Sequence, residues 1–177
     1  MLRRIFDIFI QASDQFVENE RDLILSTVSE RCLCGSFMLI LRRILDNTEF
    51  NNYFTDIEYN RNEGRVKTII NDEFETLNIT CDLIIHSRGN IINQDNLLAI
   101  EMKRDYHPLD EKIKDKKRLK ALTQPISEVT EMSNGGFPIN VCGYILGVYY
   151  EISVPQREIF IEYYVNGNVL NNYRKRI

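Results

Sequence analysis

Two short apolar runs, CDLIIH (81–86) and LLAIEMK (97–103), constrain this chain more than any other feature. Both are rich in Ile and Leu. The residues between them, Gly89, Asn90, Asn93, Asp95 and Asn96 among them, are those of a connecting loop. The pattern predicts an antiparallel hairpin. A symmetric hairpin has its centre between Ile91 and Ile92, which sets Asp82 directly opposite Glu101. Strand alternation then puts Lys103 on the face of Glu101 and turns Ile100 and Met102 the other way, into apolar packing. Facing carboxylates repel unless a cation lies between them, and a divalent metal meets that need.

The rest of the chain reads as one domain over residues 1–177, because this length suits a single core and is short for two. Apolar residues make up 44% and charged residues 27% of the chain, which excludes a disordered or low-complexity protein. The net charge of −4 excludes a protein that coats nucleic acid through bulk charge and leaves room for a local basic patch. Cys32, Cys34, Cys81 and Cys142 form no C-x-x-C pair and have no histidine at zinc-ligand spacing. They read as small buried hydrophobes in a reducing compartment. Asp7 interrupts the N-terminal apolar run, so it does not read as a secretion signal. The longest apolar run, 141–150, is far short of a membrane span. A cytoplasmic location without membrane association is expected.

Helical spacing of Ile5, Phe6, Phe9, Ile10, Phe16 and Val17 predicts an amphipathic packing helix. A second, mostly buried helix starts near Ser26 or Ser29, with Glu30 in its first turn, where a carboxylate complements the helix dipole. Residues 53–61 read as a strand with one polar face, and 65–70 as its hairpin partner across a turn at Asn62, Glu63 and Gly64. Residues 110–123 read as a surface helix on which Ile113, Leu119 and Leu122 are apolar anchors, and 128–136 as a further short helical segment. Two strands close the chain around a turn at 153–156. The fold class is α+β with a mixed sheet flanked by helices.

Two carboxylates across a strand pair, with a lysine two residues beyond the second, suit metal-dependent phosphodiester hydrolysis. Magnesium takes hard oxygen ligands and keeps several waters, so two carboxylates and a backbone carbonyl are enough to hold it beside a phosphate. An ammonium nearby orients water and stabilises developing charge, which is the role open to Lys103.

These residues resemble the PD-(D/E)xK nuclease superfamily, the restriction endonuclease-like proteins, and in particular its small single-domain bacterial members. Asp82 followed by Glu101-Met102-Lys103 on the next strand carries the likeness. The stretch DIEYNR is similar to a segment that precedes the catalytic hairpin in such members, and Cys81 stands where the name-giving proline would be. The resemblance implies that Asp82, Glu101 and the Met102 carbonyl bind Mg²⁺ or Mn²⁺, that Lys103 assists the water, and that Glu30 joins them. It also implies a four-stranded mixed core sheet flanked by helices in the order αβββαβ. Helix 28–46, strands near 53, 79 and 97, helix 110–122 and a strand from 141 lie on that order, with an extra N-terminal helix and an extra C-terminal strand. The expected activity is hydrolysis of nucleic acid, DNA rather than RNA, by an Mg/Mn-dependent nuclease.

Other residues carry two readings. Asp56 and Glu58 are either a rival metal pair or a solvated strand face, and His86 and His107 are either phosphate contacts or incidental. The run Lys112, Lys114, Lys116, Lys117, Arg118 and Lys120 is either a solvated helix face or a surface that contacts the nucleic-acid backbone, Lys112, Lys116, Lys117 and Lys120 foremost. Tyr59, Tyr149, Tyr150, Tyr163 and Tyr164 pack by default, with base stacking as the alternative. The rival function is a noncatalytic module of the same fold that holds nucleic acid or a protein partner. Duplex cutting with one site per chain would call for a homodimer.

Overall fold

A computed structural model describes residues 1–59, 80–126 and 141–177, together with the backbone of short strand segments between 61 and 78. The helices are α1 (Leu2–Asn19), α2 (Arg21–Leu25), α3 (Glu30–Leu45) and α4 (Leu109–Leu122). The strands are β1 (Phe54–Tyr59), β2 (Arg61–Asn62), β3 (Arg65–Val66), β4 (Thr68–Ile70), β5 (Thr76–Asn78), β6 (Cys81–His86), β7 (Asn96–Arg104), β8 (Leu146–Ser153), β9 (Glu158–Val165) and β10 (Asn168–Arg176). The helical segment expected at 128–136 lies outside the described residues.

Six strands form one mixed sheet in the order β1-β6-β7-β8-β9-β10. Only the β7–β8 pairing is parallel, and α4 makes the crossover between those two strands. The α+β class and the helix-flanked mixed sheet agree with the sequence reading. The sheet is wider than the four strands expected: beyond β8 the chain adds two antiparallel strands, not one. β10 escapes an apolar-pattern reading because it is polar and exposed along nearly its whole length. The strand expected from 141 begins at Leu146. β1 pairs antiparallel with β6, and only Arg61 and Asn62 of the region that follows it pair with 65–66. Among the described residues no helix is long and apolar enough to cross a membrane.

Apolar periodicity explains how the layers assemble. On α1, Ile5, Ile8, Phe9, Ala12 and Phe16 recur at helical spacing and are buried. Ser29 caps α3 by accepting from the Cys32 amide at 3.3 Å, and Arg42 and Arg43 lie in its last turn, where cations complement the dipole. Both helices cover one face of the sheet, where Leu83, Ile85, Ile100, Met102 and Tyr150 belong to one buried cluster. Phe37 of α3 packs among the rings of Phe9, Phe16 and Tyr150, with centroids 5.0–6.1 Å away. A smaller cluster on the other face joins Ile84, Ala99, Tyr149 and Tyr164 to Leu119 and Leu122 of α4. A Cβ added at Gly147 would lie 2.9 Å from Thr123 Cγ2, so the glycine lets the end of α4 approach the sheet. Ile113, expected as an anchor, is 45% exposed instead.

Phe37 has no solvent exposure, so Phe37→Ala is expected to destabilise the chain by about 3–5 kcal/mol. Urea unfolding monitored by circular dichroism measures this as a lower midpoint with an unchanged slope.

Candidate active site

The hairpin has the register read from the sequence: Leu83 stands opposite Ile100, which carries Asp82 opposite Glu101 one step outward. A register shift between Ile85 and His86, at the loop end, leaves the carboxyl end undisturbed. Asp82 Oδ2 accepts from the Met102 amide at 2.8 Å, which fixes its carboxyl against the neighbouring strand. This amide is the contact that Met102 makes with the site; its side chain is fully buried.

Glu101 is 1% exposed. Its Oε1 accepts from Arg118 Nη1 of α4 at 2.7 Å. Lys103 Nζ lies 3.1 Å from Asp115 Oδ2, also on α4, and 3.8 Å from Glu30 Oε2. Arg118 Nη1 and Asp115 Oδ1 are 3.4 Å apart, one helical turn from each other. The strand therefore sends Glu101 and Lys103 to α4, while the next residue, Arg104, reaches the opposite layer. Its guanidinium donates to the carbonyls of Ile24, Ser26 and Val28, and its amide donates to Glu30 Oε1 at 2.7 Å. Glu30 is thus held at the start of α3 by a residue of β7. His107 Nε2 lies 3.0 Å from the same Oε1.

A cleft of about 230 Å³ opens beside these groups, lined by Ser29, Glu30, Arg31 and Cys34 of α3 with its cap, Ile57 and Glu58 of β1, and Asp82. Glu30 and Asp82 share this cleft, and Lys103 reaches Glu30 while Glu101 faces Asp82 across the hairpin. Asp115 was not singled out, although it lies on one helical stripe with Leu119 and Leu122, a spacing that marks it as inward-facing, and Arg118, expected in the basic run of this helix, instead turns to Glu101.

Burial pushes Asp82 above the usual carboxylate range, against the opposing pull of the Met102 amide and Lys103. Glu101 rises well above it, first because it is buried and next because Asp82 is close, which outweighs Arg118. Like-charge neighbours of this kind share a proton. Burial alone would lower Lys103, but Asp115 and then Glu30 hold it above the ordinary lysine value.

Of the remaining candidates, Glu58 lines the cleft and His107 touches Glu30. Asp56 is held by Arg88 and by His86 Nε2 at 2.9 Å, and Glu58 pairs with Arg31, so Asp56 and Glu58 have separate partners. Lys112 and Lys116 pair with Glu151 and Glu162 of the sheet, whereas Lys117 is exposed and Lys120 half-buried. Tyr149, Tyr150, Tyr163 and Tyr164 are buried. Among the described residues, no group of three or more His, Cys, Asp or Glu side chains is arranged to hold a metal ion. The donor chemistry nevertheless suits a hard cation: four carboxylates, Glu30, Asp82, Glu101 and Asp115, meet two fixed cations, Lys103 and Arg118, which leaves a formal charge of −2. Comparison with models of known families, with curated proteins and with solved structures finds no match.

Because Asp82 and Glu101 titrate above ordinary carboxyls, the folded chain holds more protons than the unfolded one from about pH 4 upward, and the pair subtracts stability as pH rises through that window. Asp82→Asn keeps an acceptor for the Met102 amide without the charge. The metal-free variant is expected to melt above wild type at pH 8, with the difference closing towards pH 4, as read by calorimetry across the pH range.

Proposed function

We propose that this chain is a metal-dependent nuclease that hydrolyses phosphodiester bonds in nucleic acid, DNA in preference to RNA. The observation that carries the reading is the facing of Asp82 and Glu101 across β6 and β7, with Lys103 two residues further along the same strand. The order α3, β1, β6, β7, α4, β8 supports a restriction endonuclease-like αβββαβ core, with antiparallel, antiparallel and parallel pairings in turn.

In this reading Asp82 and Glu101, with the Met102 carbonyl, hold Mg²⁺ or Mn²⁺, and the cation supplies the charge that the site lacks. Such an ion polarises water and offsets charge on phosphoryl oxygens. Lys103 orients the attacking water and faces the charge that develops on the phosphate. Asp115 keeps its ammonium protonated and in place. Glu30, held by the Arg104 amide, borders the same cleft and accepts hydrogen bonds from water there. Arg118 stabilises the charge on Glu101. The formal charge of −2 motivates the divalent ion, and the openness of the cleft beside Asp82 gives a phosphate its approach.

A second reading is favoured by the 2.7 Å contact between Arg118 and Glu101, which occupies one carboxylate oxygen with a resident cation. It makes the chain a noncatalytic module of the same fold that holds nucleic acid or a protein partner.

A cleavage assay with magnesium or manganese on single- and double-stranded DNA and RNA separates the two. Asp82→Ala, Glu101→Ala and Lys103→Ala are each expected to lower the cleavage rate at least about a hundredfold, as loss of a charged group acting on the transition state does. Calorimetry is expected to show manganese binding lost in Asp82→Ala and kept in Lys103→Ala. Equal activity in wild type and all three variants sinks the nuclease reading; a folded wild type that binds no metal and cleaves nothing favours the second.

A further inference from the structure

The turn that leads from β7 into α4 is fixed at nearly every residue except one. The Asp105 amide donates to Ile152 O at 3.0 Å, its carboxylate accepts from Ser153 Oγ at 2.6 Å, and its carbonyl accepts from Lys112 Nζ at 2.7 Å. The His107 amide donates to Arg104 O at 3.3 Å, and its two ring nitrogens lie 3.0 Å from Glu30 and 3.1 Å from Glu111. Tyr106 stands between these anchored residues with 76% of its surface exposed. Its ring stacks on the His107 imidazole, with centroids 4.9 Å apart and planes 25° apart.

We infer that Tyr106 is a stacking platform for a nucleobase next to the scissile phosphate, and that the substrate therefore presents an unstacked base, as single-stranded or splayed nucleic acid does. The inference rests on the nucleic-acid reading above and deepens it. An aromatic ring offered to solvent costs little when it stacks on a base, since every base has a flat apolar face, whereas a duplex keeps those faces covered. The position is apt, because Tyr106 follows Lys103 by three residues and its stacking partner touches Glu30. The anchored backbone means that the ring need not be ordered on binding, which lowers the entropic cost of the contact. Exposed cations follow on α4: Lys117, and Lys114, whose side chain is 72% exposed and lies 3.7 Å from the equally exposed Asp110, suit the phosphates of a strand that passes over the turn. Leu109 and Ile113 of the same helix start are also exposed.

Fluorescence anisotropy of a short labelled DNA oligonucleotide, single-stranded or annealed to its complement, tests this with calcium in place of magnesium to retain oxygen ligation. Tyr106→Ala is expected to weaken single-strand binding about tenfold, the usual effect of removing one stacked aromatic, while Tyr106→Phe binds as wild type. Duplex binding is expected to be weaker in wild type and indifferent to the substitution. The exposed position should leave the melting temperature unchanged, so a loss of binding is not a loss of fold. Tyr106→Ala that binds the single strand like wild type overturns the platform while leaving cleavage, and hence the nuclease reading, intact. Tyr106-dependent binding without cleavage by wild type supports the platform and sinks the nuclease reading alone. A wild type that binds neither oligonucleotide overturns both, and a dimer that Tyr106→Ala dissociates reassigns the ring to a protein interface.

Discussion

Two carboxyl groups set opposite each other in the interior of a sheet impose a demand that much of this structure answers. Glu101 is almost fully buried and Asp82 half-buried, and an uncompensated charge in such surroundings costs several kcal/mol. The compensation comes from α4. Its inward stripe carries not only Leu119 and Leu122 but also Asp115, with Arg118 beside them, so the helix docks through a charged network as well as through apolar contact. That docking has its own requirement at Gly147, where a side chain would meet Thr123. A carboxyl on β7 and a missing Cβ on β8 are thus parts of one arrangement.

β7 also ties the two helical layers together. Because side chains alternate, Glu101 and Lys103 reach α4 while Met102 and Arg104 reach the α1–α3 layer. Arg104 closes the carbonyls at the α2–α3 junction with its guanidinium and holds Glu30 with its amide. Four consecutive residues therefore fix Glu30, Asp82, Asp115 and Arg118 relative to one another. A site assembled on one central strand is stiffer than one assembled on loops, and it leaves the turn after the strand equally well defined.

The hairpin was legible because both of its strands are apolar runs bounded by loop residues, and because the irregularity at His86 falls on the loop side of the carboxyl pair. The packing faces of α1 and α3 were legible for a similar reason: periodicity survives wherever one face is buried. Pairing was less accessible. β1 lies on β6 because the sheet needs a neighbour there, a tertiary fact that no turn signal between 62 and 64 reports. β10 holds its place through backbone pairing with β9, so its polar side chains give no sign of it. Asp115 and Arg118 were hidden in a lysine-rich helix, where inward and outward charges look alike until the partner surface is known. The tyrosines divide in the same way, since the doublets of β8 and β9 are buried while the single Tyr106 is exposed.

A buried ion network by itself is weak support for function, since structural networks also shift pKa values. What separates the two cases is the balance of charge. A network that serves only to hold a fold is cheapest when it closes on itself, each carboxylate meeting a cation. Here the cations brought by Lys103 and Arg118 fall short of the four carboxylates around them, and while Glu101 is met by Arg118, Asp82 is held by the Met102 amide beside a cleft open to solvent. Replacing the whole network, Asp115 and Arg118 of α4 included, with apolar residues of similar volume is often neutral or stabilising, so the fold alone does not require it. Retaining an arrangement that lowers stability at neutral pH is intelligible if the missing charge arrives with a ligand. On the proposed nuclease reading a divalent cation, rather than a proton, would be the complement, because protons satisfy the pair only below the pH at which both carboxyls ionise, whereas a divalent ion would satisfy both at once.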